Sequence, residues 1–259
     1  MDFTNRSILR LAMEQSAIDA HCSPEDFARE DNVVVTSVPD PRARKYLSLP
    51  FDCQLISYGS NIVASVSEPF REAAAGYIRR FPVEHCFETP ALHVLEDAVR
   101  EQGAKVCFMA EYFLPDLGAL RPLDSPYPLK LLGPADFGPL YTGTWSNALC
   151  KDRRELDVLG IGAYDGGELA GFAACSADCE GMWQIGVDVL PAYRRQGIAS
   201  ALTSRLALAI LERGKVPFYC AAWSNLRSVR SAIKSGFRPA WVELNVRSTA
   251  FVERMNGAQ

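Results

Sequence analysis

The sequence predicts an α/β (α+β) protein of two lobes, and three observations carry that expectation. The chain has 259 residues, 48% of them hydrophobic and 22% charged, which is enough apolar material for two cores. β-type runs and helical periodicities alternate along its length. Both patterns break at "PDLGALRPLDSPYPLKLLGPADFGP", where six prolines cluster. The boundary is drawn near residue 125, giving an N-terminal α/β lobe over 1–125 and a second domain over 126–259.

The elements follow in order. Ile8, Leu11, Ala12 and Ile18 recur at helical spacing and stop near the "SPEDF" turn. "NVVVTSV" reads as a strand, and "CQLISYGSNIVASVS" as two more joined by a hairpin turn at Gly59-Ser60-Asn61. "EPFREAAAGYIRRF" is a helix, and "ETPALHVLEDAVREQG" another, started by Thr89-Pro90 and stopped by Gly103. "KVCFMAEYFL" is the last strand of this lobe. Beyond the prolines come a strand at "YPLKLL" and helical segments through "YTGTWSNAL". Three strands follow in "LDVLGIGAYDGGELAGFAACSA" and "GMWQIGVDVL", the first two joined by Asp165-Gly166-Gly167. Ile198, Leu202, Leu206 and Ile210 mark one face of a helix over 197–213, with Gly214 as its C-cap. "VPFYCAAW" is a strand, "NLRSVRSAIKSG" a helix and "PAWVELNVRS" a closing strand.

A formal net charge of -4 argues against a dedicated nucleic-acid binder. The eight cysteines are scattered without the C-x-x-C spacing of a zinc or redox site, so buried reduced thiols are expected and no metal. The first residues lack the apolar core of a secretory leader, and no run reaches membrane-span length, so no membrane partner and a cytoplasmic location are expected. No oligomeric state follows from the sequence.

"AYRRQGIASAL", residues 192–202, lies between a strand and a long helix. A helix N-terminus presents unpaired amides and a partial positive charge, and so can hold a phosphate if the entering chain comes close. Gly197 allows that approach, Ala199 keeps the next turn open, and Arg194 and Arg195 add cationic donors. The same residues also fit a plain strand-to-helix turn carrying surface arginines. "GIGAYDGG" is no rival phosphate loop, because a hairpin rather than a helix follows it.

Arg194-Arg195-Gln196-Gly197-Ile198-Ala199 resembles the R/Q-x-x-G-x-G/A signature of the GNAT acyltransferases, and "NLRSVRSAIKSGF" resembles that family's later N-x-x-S/A helix, with Asn225, Ser228, Gly236 and Phe237 in the matching places. The whole chain is also similar to a GNAT group that has an N-terminal lobe. The resemblance implies a GNAT fold in the C-terminal half, a mixed and mostly antiparallel sheet flanked by helices. It also implies acetyl-CoA as cofactor. Main-chain groups of Val187 and Val189 would align the pantetheine arm, amides from Arg195 through Gln196, Gly197, Ile198 and Ala199 to Ser200 would surround the pyrophosphate, and Asn225 and Ser228 would contact the cofactor. Asn225 also fits a plain N-cap, and Ser228 an exposed helix polar.

The activity implied is N-acetylation of a small-molecule or peptide amine by direct attack on the thioester. A non-catalytic acyl-CoA-binding or sensor protein is the alternative. Many family members carry a tyrosine seven residues after the motif asparagine, where this chain has Ala232. Tyr219 and Ser228 are the nearest substitutes as acid. The place of the family's usual carboxylate base falls near Trp183 and Gln184, which cannot serve. Asp188 is the carboxylate on that strand, although alternation points it away from the face of Val187 and Val189. His21, His85 and His93 all belong to the first lobe. Arg227, Arg230 and Lys234 read as a solvated helix face, or as a contact for the CoA 3′-phosphate. The first lobe is expected to be a substrate-shaping lobe, as a degenerate half of the same fold, or equally a docking module.

Overall fold

A computed structural model describes residues 3–257. In chain order the elements are α1 (Asn5–Ala20), β1 (Val33–Thr36), β2 (Cys53–Ser57), β3 (Val63–Val66), α2 (Arg71–Arg80), α3 (Thr89–Arg100), β4 (Ala104–Pro115), β5 (Leu129–Leu132), α4 (Pro134–Phe137), β6 (Asp157–Asp165), β7 (Glu168–Ser176), β8 (Met182–Val189), α5 (Ile198–Glu212), β9 (Val216–Ala221), α6 (Leu226–Lys234), β10 (Phe237–Ser248) and α7 (Thr249–Gly257). Every strand and long helix expected from periodicity is present. The helical stretch expected through "YTGTWSNAL" is reduced to α4 and single 3-10 turns, because Pro139 and two glycines interrupt it. α7 was not foreseen; it buries no residue, so it has no apolar stripe to read.

The chain divides into two compact units, and they are interleaved rather than consecutive. One contains the chain up to Leu11 and Tyr112–Pro239, the other Ala12–Glu111 and the chain from Ala240. This differs from the boundary drawn at residue 125: the divisions fall inside α1, β4 and β10, and β10 illustrates how. Its first residue, Phe237, packs in the core of the first unit, while Val242–Val246 pair antiparallel with β2 in the second. A break in composition marks a loop, not the place where a long strand changes its packing partners.

In the second unit β1 pairs parallel with β3, and β3, β2 and β10 pair antiparallel. Leu55, Ala64, Val66, Ile78, Leu95, Val99 and Leu244 form its core between strands and helices α2 and α3. A buried polar knot ties α1 to β10. Arg44, 3% exposed, pairs with Asp19 and donates to Glu243 Oε1 at 2.7 Å. Gln54 and Trp241 donate to the same carboxylate at 3.0 and 2.7 Å. Burial pushes the Asp19 carboxyl up, and the Arg44 charge opposes that rise.

In the first unit β5, β6, β7 and β8 run antiparallel in that order, and β9 adds to β8 in parallel. The sheets of both units are thus mixed and mostly antiparallel, with helices packed on them. α5 lays Ile198, Leu202, Leu206 and Ile210, all almost completely buried, on Ile161, Ala173, Cys175 and Ile185. On the opposite face Phe172 and Ala174 pack with Phe137, Trp145 and Leu149. Cys53, Cys86, Cys175 and Cys179 are buried and the other cysteines half-buried, all as free thiols. Among the described residues no helix is long and apolar enough to cross a membrane.

Replacing Arg44 with alanine leaves Asp19 and Glu243 buried without their cation. The expected cost is about 3–5 kcal/mol of unfolding free energy, read as a fall in the urea midpoint.

Candidate functional site: a cavity between diverging strands

The parallel ladder between β8 and β9 ends early: Met182, Trp183 and Gln184 pair with Val216, Pro217 and Phe218, and no pairing follows. Beyond that point the strands part, and Gln184 bridges the fork by donating to Cys220 Sγ at 3.0 Å. A cavity of about 1260 Å³ fills the opening, lined by Ile185–Val189 on one side and Tyr219–Ala221 on the other.

At one end of this cavity stands the start of α5. Arg195 (φ 65°) and Gly197 (φ 85°) both take left-handed conformations, and Gly197 is the N-cap residue. It has no side chain to cap the first amides, so the first turn of α5 keeps its donors for another partner. A Cβ on Gly197 would meet only Lys234 Nζ, at 3.7 Å. Of the signature residues, Arg194, Arg195, Gly197, Ile198, Ala199 and Ser200 line the cavity, as do Val187 and Val189. Gln196 does not; its Oε1 accepts from Tyr127 Oη at 3.2 Å. Arg194 Nε donates to the Val189 carbonyl at 3.1 Å, tying the loop to the end of β8. Arg227, Arg230 and Lys234 are exposed yet line the same cavity, so the solvated face is also the cationic rim of the site.

Asn225 caps α6, its Oδ1 accepting from the Ser228 amide at 3.3 Å, and it lines the cavity as well. Tyr219 Oη and Ser228 Oγ lie 2.7 Å apart, so the structure brings the two acid candidates together. Tyr219 is 4% exposed and packs against Phe113 and Phe237; burial pushes its hydroxyl pKa up. Ala232 is fully buried in the core under α5.

Asp188 sits on the face of β8 opposite Ile185 and Val187, as alternation requires. Its carboxylate accepts from the Asn147 amide (2.9 Å), Asn147 Nδ2 (2.6 Å) and the Ala148 amide (3.0 Å). Two residues earlier, Gly186 lets the Asn147 carbonyl approach: a Cβ there would lie 1.8 Å from that oxygen. Gly186 and Asp188 therefore dock the 146–149 segment on β8, and the carboxylate proposed as a base is occupied as an anchor. The three histidines belong to the second unit and none lines the cavity.

Sequence reasoning missed Asp157. It lines the far end of the cavity at 1% exposure, with its carboxyl pushed up to about 6, chiefly by burial. The available signal was an acidic residue opening the apolar run "DVLGIGA".

A helix N-terminus here opens on a forked parallel strand pair, and residues 119–240 match the family model described as GNAT acetyltransferase. This segment is similar to GNAT acetyltransferase domains. Three solved structures are similar to it: a GNAT-family acetyltransferase from Novosphingobium aromaticivorans (22% identity, TM-score 0.45, 56% of this chain and 66% of that one), a GNAT-family acetyltransferase from Colwellia psychrerythraea (16%, 0.43, 56% and 57%) and a GCN5-related N-acetyltransferase from Kribbella flavida (17%, 0.49, 73% and 81%). The chain thus spans less than two thirds of the first two. A search of curated proteins returns no match.

Gly186→Ala is expected to lower the stability of the first unit by about 1–3 kcal/mol, because the 146–149 segment must move off β8. Urea unfolding measures the loss.

Proposed function

We propose that the chain is an acetyl-CoA-dependent N-acetyltransferase acting on a small-molecule or peptide amine. The observation that carries this reading is the uncapped, left-handed entry to α5 at Arg195 and Gly197, opening directly on the cavity between β8 and β9. The space over Gly197 is open and flanked by Lys234, which suits a pyrophosphate. In this reading the amides of Arg195 and of Gly197 to Ser200 hold the pyrophosphate, and Arg227, Arg230 and Lys234 supply further charge. Val187 and Val189 offer main-chain groups on an edge that has no ladder partner beyond Gln184. Asn225 contacts the cofactor from the N-cap of α6.

Acetyl-CoA, when bound, supplies an acetyl group activated as a thioester. The chain's own contribution is to orient that group and to move protons. Burial keeps Tyr219 protonated at neutral pH, so it can donate toward a departing sulfur, and Ser228 holds its hydroxyl in place.

A second reading, a protein that binds acyl-CoA without turnover, is favoured by the buried Ala232 in place of the family's tyrosine and by the anchoring of Asp188. Release of CoA thiol from acetyl-CoA across an amine panel separates the two. The enzyme releases it with at least one amine; the sensor binds tightly and releases none.

Gly197→Glu places bulk and negative charge where the pyrophosphate would lie. Acetyl-CoA affinity should fall at least about 10-fold by calorimetry, with an unchanged circular dichroism spectrum. Tyr219→Phe should reduce kcat roughly 10²-fold while leaving acetyl-CoA affinity within about twofold.

A further inference from the structure

The two ends of the cavity differ in chemistry. The end beside α5 and α6 is cationic. The other end is lined by Asp157, Ser176, Asp178 and Gln184, with Arg153 beside them. Asp157 pairs across the sheet with Ser176, and Ser176 with Gln184, so the row runs straight to the fork where β8 and β9 part.

A β-bulge creates this row. The register of β6 on β7 shifts between Asp157 and Leu159, so Val158 is inserted; Val158 and Leu159 both pack on the α5 side. Without the bulge, Asp157 would share the face of Leu159 and Ile161 and lie in the core under α5. With it, Asp157 joins Ser176 and Gln184 on the other face. A bulge that re-aims one side chain is a recurrent device beside active sites.

Only one of its carboxylate oxygens is engaged by the protein. Oδ2 accepts from the Cys150 amide (3.0 Å) and from Tyr141 Oη (3.1 Å), while Oδ1 is buried without a partner. The other charged and titratable groups facing it are accounted for. Asp178 pairs with Arg153 at 3.8 Å, Arg154 stacks on the Tyr141 ring at 4.3 Å, and the nearby Cys175 thiol is pushed up by burial. Asp188, the remaining carboxylate of the cavity, is saturated by Asn147 and Ala148.

We propose that this end of the cavity is the acceptor subsite, built for a primary ammonium whose proton passes to Asp157 Oδ1, directly or through one water. The inference rests on the acetyltransferase reading. One proton of R–NH3+ goes to the carboxylate and on to solvent. The freed nitrogen lone pair forms the C–N bond at the thioester carbonyl, the C–S bond breaks, and the departing sulfur takes the second proton. Burial and the Asp178 charge raise the Asp157 carboxyl to about 6, so it is ionised at neutral pH and still basic enough to accept a proton. Below that pH the carboxyl is neutral and the acceptor step stops.

The test uses the full chain with spermidine, tyramine and a lysine-containing peptide as amine probes. Carboxyl 13C NMR of aspartate-labelled protein, with the Asp157 signal assigned through Asp157→Asn, should show a midpoint near 6 that moves down when an amine saturates the CoA-bound protein. In turnover, kcat/KM of the wild type should fall below pH 6. Asp157→Asn should lose about 10²-fold and that acid limb together, Asp157→Glu should restore part of both, and acetyl-CoA affinity should stay within about twofold for each. Equal melting temperatures exclude misfolding of the variants. An Asp157 signal that ignores every amine, or Asp157→Asn turning over like the wild type with its acid limb intact, would overturn the acceptor subsite alone. A wild type that binds no acetyl-CoA by calorimetry would instead overturn the acetyltransferase reading.

Discussion

The geometry of the first unit depends on where one hydrogen-bond ladder stops. β8 and β9 pair in parallel only as far as Gln184 and Phe218. Past that step two strand edges lose their mutual partners, and buried main-chain groups must be satisfied somehow. An opening of this kind suits a ligand that carries amides of its own. Neighbouring features hold the fork apart: Gly186 and Asp188 seat the 146–149 segment on one strand, and the Tyr219–Ser228 contact fixes the other to α6. The α5 N-terminus then faces a gap already formed, and no rearrangement of the core under α5 is needed to reach it.

Charge divides the cavity along its length. Cationic side chains from the loop before α5 and from α6 gather at one end, while Asp157 and Asp178, the latter paired with Arg153, mark the end reached along the Asp157–Ser176–Gln184 row. Such a gradient orients a ligand pair without many specific contacts, because each partner lowers its energy at only one end. It also explains how a chain of net charge -4 can present a strongly basic rim. The balance is local, and the total conceals it.

The sequence makes periodic features legible and leaves non-periodic ones hidden. α5 is read residue by residue from Ile198, Leu202, Leu206 and Ile210, because burial of one face imposes that spacing. Gly197 is legible because its conformation disfavours a side chain. Asp188 was placed on the correct face by alternation, yet its three donors come from a segment 40 residues away, which no local pattern announces. Asp157 was missed for a related reason. Alternation counted back from Ile161 and Leu159 assigns it to the core under α5, and only the inserted Val158 reverses that. The unit boundary differs from the one drawn because prolines mark a loop, whereas the partition runs through α1, β4 and β10, single elements that divide their packing between the units.

That partition has a consequence for vectorial synthesis. The unit containing β2 gains its β10 partner only when Val242–Val246 have emerged, almost two hundred residues after the Cys53–Ser57 segment they pair with. The early part of the chain must therefore wait on the ribosome with the β10 edge of β2 unpaired. Cys53 and Leu55, both fully buried in the finished sheet, lie on that waiting strand. Throughout synthesis of the intervening stretch the nascent chain thus carries an apolar edge strand, the kind of surface that holdase chaperones are built to shield.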